Sequence, residues 1–330
     1  LRCRAGELTF TPGATESNNI VILGSQDGSR LHQNAVFCPI DHKSTLEAMK
    51  ELARRGVETR SMKIDHAGRI DLDHLQHIVD ENTSLVTLAL VNSELGTIQD
   101  VDGIAAILDG HTSILHIDAT QAVGKIAIDM RDSRVDCMSI SAHKISGPKG
   151  IGALYVSERL GGRLKPLTFG GGQSYLRSGT LPSPLIVGFG VAAHIILRSN
   201  IRDLWERARH RQSIILSLLD QYANVYLLNS VLQYTVPHIL NVAFLGVRSE
   251  TIIKGLPTVC LSSGSACNSH SLAPSYVLTG VGHDNDRANC SIRVSFIANM
   301  DVDDLSVGAE TLARKVQSLQ ALFMGENQHG

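Results

Sequence analysis

Short apolar runs alternate with amphipathic stretches along most of the chain. Val86–Val91, Ile114–Ile117, Val135–Ile140 and Gly152–Val156 are apolar runs of strand length that stop at polar or small residues, and they predict strands of a covered sheet. Between and before them, Ser44–Arg55 and Asp71–Asp80 place apolar residues at helical spacing. From Ile201 to Tyr222 the helical spacing becomes long, and a last helix is expected over Asp303–Phe323. The pattern is α/β: a mainly parallel or mixed sheet flanked by helices in a large domain over 1–200, then a smaller α+β domain over 201–330. In such sheets active groups collect at strand ends.

Composition narrows the function classes. The 330 residues are 43% hydrophobic, enough for a substantial core in more than one lobe. A net charge of -2 with both signs interspersed leaves no footprint for nucleic acid or an anionic membrane. No apolar run is long enough to cross a bilayer and Leu1–Glu7 does not read as a signal peptide, so a cytoplasmic protein is expected. Six cysteines scattered over a chain of this size point to reduced thiols; Cys38, Cys137, Cys260 and Cys290 lie in or beside apolar runs and read as packing residues. Gly188-Phe189-Gly190 imitates a dinucleotide fingerprint without the downstream acid, and reads as a helix packed closely through its glycines. His74/His77 and Cys267/His270 have no second pair at zinc-site spacing, so no metal is expected. Lys149 lacks the Walker spacing.

The chemistry is carried by strand ends. Ser141-Ala142-His143-Lys144 follows the run ending at Ile140 and leads into Gly147-Pro148-Lys149-Gly150, and a lysine so placed reads as a Schiff-base lysine. Asp118 closes the run Ile114–Ile117, with Gln121 just beyond it. An acid at one strand tip and a lysine at another suit pyridoxal phosphate (PLP): the lysine holds the aldehyde and the carboxylate keeps the pyridine nitrogen protonated. Thr11-Pro12-Gly13-Ala14-Thr15-Glu16, leading into a helix, offers backbone N–H groups and a hydroxyl for a phosphate. Cys267 sits in the run Ser262–Ser271, where small polar residues predict a mobile, exposed loop over about 260–275. A thiol in such a loop reaches both a buried cofactor and an outside acceptor.

The stretches 13–19, Glu94-Leu95-Gly96-Thr97, 116–121, His143-Lys144, Gly170-Gly171-Gly172-Gln173, Arg177-Ser178-Gly179-Thr180 and 262–267 resemble, in order, the cysteine desulfurases of the NifS/IscS type. The resemblance implies a PLP-dependent fold type I homodimer that takes sulfur from L-cysteine, leaves L-alanine and carries a persulfide to a sulfur-acceptor protein, in iron–sulfur assembly, tRNA thiolation or DNA phosphorothioation. By the same resemblance Lys144 is the Schiff-base lysine and moves the substrate Cα proton. Asp118 pairs with the pyridine nitrogen, Gln121 bonds the ring hydroxyl, and His42 stacks on the ring and assists proton transfer. Ala14, Thr15, Ser141 and His143 hold the phosphate, with Thr180 reaching it from the second subunit. Arg293 binds the substrate carboxylate, Asn92 and Ser93 line the pocket, and Cys267 attacks the substrate sulfur.

The chain also departs from that family's pattern. It begins just before the phosphate cradle, so the family's N-terminal segment is missing and a fragment or short form is expected. Ser93 stands where asparagine is usual, Ala142 where glycine is usual, Phe296-Ile297-Ala298-Asn299 replaces a Leu-Gly-Arg pattern, and the stretch Gln173–Arg177 is one residue short, which is expected to shift Thr180. Two alternatives follow: a selenocysteine lyase or small aminotransferase, against which the thiol of Cys267 argues, and an inactive truncated paralogue.

Overall fold

Seven strands build the sheet of the first unit: β1 (Leu8–Thr11), β2 (Asn34–Phe37), β3 (Glu58–Ser61), β4 (Thr83–Ala89), β5 (Ile114–Asp118), β6 (Cys137–Ser141) and β7 (Gly152–Val156), in the order β1-β7-β6-β5-β4-β2-β3. Strands β2 to β6 are parallel to one another, and β7 runs antiparallel to both of its neighbours. This computed structural model describes residues 1–26, 33–131, 133–223, 225–263 and 273–325. Residues group into two units: Leu1–Asp65, Arg69–Asn92 and Gln99–Ile201 form the first, and His66–Gly68, Ser93–Ile98 and the chain from Arg202 onward form the second.

The central strands are buried along their length, β5 and β6 at every position, as strands covered on both faces must be. Helices Ala14–Gly24 and Lys43–Arg54 cover one face: Ile20, Val21 and Ile22 of the first and Ala48, Met49 and Leu52 of the second join one core cluster with Leu85, Ile114, Cys137 and Leu154. Each such large side chain withdrawn from water stabilises the fold by roughly 1.5–3 kcal/mol. β3 reads Glu-Thr-Arg-Ser and lies at the sheet edge, where charge guards unpaired backbone groups. Strand β7 begins at Gly152 because nothing larger fits: a Cβ there would lie 2.5 Å from Ile140 O and 2.8 Å from Gly13 Cα. That contact seats Gly13, and the helix it precedes, against the sheet.

Most expected helices form with small shifts. The helix expected over Asp71–Asp80 is confined to Leu72–Ile78, because the Asp71 carboxylate caps it by accepting from His74 N and Val79 leaves helical geometry. In the helix Ser183–Arg198, close packing holds at Gly188, where a Cβ would meet Pro148 Cγ at 2.6 Å, but not at Gly190, which faces open space.

The second unit carries a four-stranded antiparallel sheet, β8 (Leu227–Leu228), β9 (Ile239–Ala243), β10 (Ser262–Ser263) and β11 (Ser291–Ser295), in the order β10-β11-β9-β8. The helix Ile201–Tyr222 buries Leu204, Ala208, Ile215 and Leu219, and the helix Val302–Gly325 buries Leu305, Leu312 and Val316. The cysteine expectation needs one correction. Cys38 and Cys137 are buried, but Cys260 is exposed and Cys290 only half-buried, since Cys260 precedes a two-residue edge strand that has little core to offer it. Among the described residues no single helix is long and apolar enough to cross a membrane.

Candidate active site

Parallel pairing of β5 and β6 sets Asp118, the last residue of β5, opposite Ser139, two residues before β6 ends at Ser141. Beyond Ser141 the chain turns through Ala142–Ile145, which presents His143 and Lys144 as exposed side chains while Ala142 and Ile145 stay buried. Asp118 is 7% exposed. Its Oδ2 accepts from Asn18 Nδ2 at 2.8 Å and its Oδ1 from the Thr120 N–H at 2.9 Å.

Asn18 extends the cluster. Its Nδ2 also donates to Ser44 Oγ at 2.9 Å, and Ser44 Oγ lies 2.8 Å from His42 Nδ1. The Ser44 N–H donates to the same ring nitrogen at 3.1 Å, so Nδ1 is an acceptor and neutral His42 carries its proton on Nε2. Burial pulls the His42 pKa down; Asp118 opposes this, and Lys144 and Lys43 add to the fall. His42 is therefore neutral near pH 7.

The residues expected to hold a phosphate gather at the same strand ends. The helix Ala14–Gly24 opens after Gly13, whose carbonyl accepts from Thr11 Oγ1 at 3.0 Å. A Cβ on Gly13 would lie 3.9 Å from Ser141 Oγ, and Ser141 Oγ lies 2.8 Å from His143 Nδ1. Ala14, Thr15, Ser141 and His143 thus surround one helix N-terminus, where free N–H groups favour an anion.

These residues fit PLP. Among the described residues Asp118 is a buried carboxylate in no ion pair, an arrangement that favours a cationic partner such as a protonated ring nitrogen. Asn18 Oδ1 and Thr120 Oγ1 beside it are buried without a partner among the described residues, leaving polar capacity that a ligand or water can use.

Two further groups lie close by. Asp41, 2% exposed, accepts the Ala89 N–H at 3.0 Å at the end of β4. Burial pushes its carboxyl up to about 8, with the Ala89 hydrogen bond opposing and Asp118 adding to the rise. Its folded pKa exceeds the unfolded value, so its stabilising contribution is full below about pH 4 and is lost as pH rises through about 8. Asp41→Asn is expected to shrink the loss of unfolding free energy between about pH 5 and 9 by on the order of 1–3 kcal/mol, read by denaturant titration of the cofactor-free protein. Equal losses in both proteins would mean that Asp41 is ionised when folded. His116, within β5, bridges Thr87 Oγ1 at 2.8 Å and Ser139 Oγ at 2.9 Å. Burial drops its pKa to about 4, making it a neutral tie across three strands.

The remaining expected residues are placed as follows. Gln121 sits in the turn after β5, where its side-chain and backbone oxygens accept from Lys125 Nζ. Asn92, buried in the first unit, donates its amide to Ile40 O at 2.9 Å. In the second unit, Arg293 on β11 donates from Nη1 to Ser93 O at 2.9 Å. Thr180 is exposed beyond the Gly172–Gly179 bridge and takes no part in the cluster around Asp118. The short stretch before it is tied down: Gln173 pairs with both backbone groups of Phe10, and Arg177 Nε donates to Glu16 Oε1 at 3.0 Å. Cys267, with most of its expected loop, lies outside the described residues. Asn18, Ser44 and Lys125 were not singled out from the sequence; only Asn18 left a signal, one helical turn beyond Ala14 and Thr15.

A mainly apolar cavity of about 590 Å³ lies elsewhere in the first unit, lined by Phe10, Val123, Ile186 and Phe189 among others, and by none of Asp118, Lys144 and His42.

Residues 3–307 match the family described as Aminotransferase class-V. A mitosomal cysteine desulfurase of Trachipleistophora hominis is 38% identical over 335 residues, covering 98% of this chain and 75% of its own. Among solved structures, a NifS-like protein matches with a TM-score of 0.85 at 30% identity, over 96% of this chain and 83% of that one. SspA in complex with cysteine matches with a TM-score of 0.77 at 32% identity, over 90% and 83% of the two chains.

Proposed function

The chain belongs to the class-V aminotransferase family, among its cysteine desulfurases, and on that premise we propose that the residues around Asp118 hold pyridoxal phosphate and that Cys267 receives the sulfur of L-cysteine. The fold is that of the PLP-dependent type I enzymes, a family that uses this cofactor in general. The observation that carries the reading is the hydrogen-bonded chain Asp118–Asn18–Ser44–His42 on the strand next to the one that delivers Lys144.

When bound, PLP supplies an electron sink that weakens the bond between substrate Cβ and sulfur. Asp118, fixed by Asn18 and Thr120, keeps the ring nitrogen protonated, and the helix start at Ala14 and Thr15, with Ser141 and His143, holds the phosphate. Lys144 would hold the cofactor through its aldehyde carbon and would serve as the base for the substrate Cα proton. His42 presents Nε2–H to the reacting end of the site. Arg293 binds the substrate carboxylate beside Ser93, and Asn92 forms part of the wall. The Cys267 thiolate would attack the substrate sulfur: an S–S bond forms, the Cβ–S bond breaks with its electron pair moving to Cβ, protonation at Cβ and return of the Cα proton by Lys144 give L-alanine, and the persulfide passes to an acceptor protein.

A second copy of the chain completes the reading. Thr180 is exposed, and the helix Ser183–Arg198 leaves Val187, Val191 and Ile195 more than half exposed at one-turn intervals, an apolar face of the kind that protein partners cover.

Cofactor attachment is the direct test. Borohydride reduction of the PLP-loaded protein followed by peptide mapping is expected to place the pyridoxyl group on Lys144. An adduct on Lys149 or Lys125 would overturn the assignment.

A further inference from the structure

After β5 the chain turns at Ala119–Ile126, and Gly124, at φ +79, helps reverse it so that Lys125 folds back over Gln121. Lys125 Nζ donates to Gln121 O at 2.9 Å and to Gln121 Oε1 at 3.0 Å. An ammonium has only donors, so the oxygen end of the amide must face it. The Nε2 end, which has no acceptor among the described residues, is then turned away from Lys125 as a donor. Without Lys125 the two ends of the amide are interchangeable in shape, and nothing in this turn selects one.

We propose that Lys125 is a positioning residue that locks the Gln121 amide with its N–H group toward the cofactor's ring oxygen. This rests on the reading that Lys144 and Asp118 hold PLP. Burial, and after it the charge of Lys144, brings the Lys125 pKa down to about 8, so its proton is held less tightly than that of a solvated lysine. The other titratable groups that influence one another at this end of the sheet include Asp118, His42, Lys43, His143, Lys149, Asp41 and His116. An N–H donor at the ring oxygen stabilises that oxygen's negative charge and weakens its hold on the neighbouring proton shared with the lysine nitrogen. The donor therefore lowers the pH at which the bound chromophore loses its proton and changes colour.

The test is an absorbance–pH titration of the PLP-loaded wild type, Lys125→Met, Gln121→Met and the double variant. Lys125→Met and Gln121→Met are each expected to raise the midpoint by about one pH unit, and the double variant to match Gln121→Met, because Lys125 acts through the amide. Lys125→Arg, which keeps the donor, is expected to restore the wild-type midpoint. An unchanged midpoint in Lys125→Met, or an equal further rise when it is added to Gln121→Met, would overturn the proposal in favour of no role or a direct charge effect. If Lys125→Met does not fold, Lys125→Gln decides: its amide can donate or accept and so no longer fixes which end of Gln121 faces it, and an unchanged midpoint rejects the mechanism while a rise supports it. A wild type with no cofactor absorbance overturns the cofactor reading itself, and this one with it.

Discussion

Asp118→Asn is expected to lower turnover roughly 10²-fold or more while PLP remains bound, because a neutral amide cannot hold the ring nitrogen's proton. The local hydrogen bonds make the loss larger than that of a charge alone. In the native protein both carboxylate oxygens are acceptors, one for Thr120 N–H and one for Asn18 Nδ2. An amide at position 118 must present its NH₂ to one of these donors. If it faces Asn18, Asn18 must rotate to offer Oδ1, and it then loses the Nδ2 bond to Ser44 that orients His42. The variant is therefore expected to disturb proton handling at His42 as well as ring electronics, seen as a changed pH dependence of kcat. Measurement is of alanine release from L-cysteine, with cofactor content checked by absorbance; near-normal turnover with bound PLP would remove Asp118 from its role.

The parts of this site legible in the sequence are those that chain order fixes. Asp118 and Lys144 each follow an apolar run, and a buried strand ends where its apolar residues end, so both strand tips were predictable from Ile114–Ile117 and Val135–Ile140. That β5 and β6 are neighbours is a fact of sheet order, which local pattern does not encode. β3 escaped notice for a related reason: an edge strand made of Glu, Thr, Arg and Ser has no apolar run to read. Asn18, Ser44 and Lys125 are polar residues whose roles come entirely from what folding sets beside them. Ser44 and Asp118 are 74 residues apart in sequence, joined only through the Asn18 amide. Cys260 shows the opposite failure, where nearby apolar residues suggested burial and an edge strand left the thiol exposed.

That exposed thiol sharpens what replacing Cys267 must reveal. Cys267→Ala and Cys267→Ser are expected to bind L-cysteine with near-normal affinity, since Lys144, Arg293 and the phosphate-binding residues are untouched. Persulfide is expected to fall by more than about 100-fold, because neither a methyl nor a hydroxyl group can serve as the sulfur nucleophile. The described thiols differ in their fitness to substitute. Burial raises the pKa of Cys38 and Cys137 well above the usual range, and raises those of Cys3 and Cys290 as well, which keeps them in the unreactive thiol form. Cys260 is the one exposed cysteine among the described residues, and it stands two positions before Ser262, whose partner across the sheet is Arg293. It is therefore the rival that the experiment has to exclude. Mass spectrometry after brief incubation with L-cysteine is expected to find the added sulfur on the Cys267 peptide of the wild type, and Cys260→Ala is expected to leave that adduct intact. Sulfur mapped to Cys260, with Cys267→Ala releasing alanine at the wild-type rate under single-turnover conditions, would transfer the nucleophile's role to the strand that pairs with Arg293.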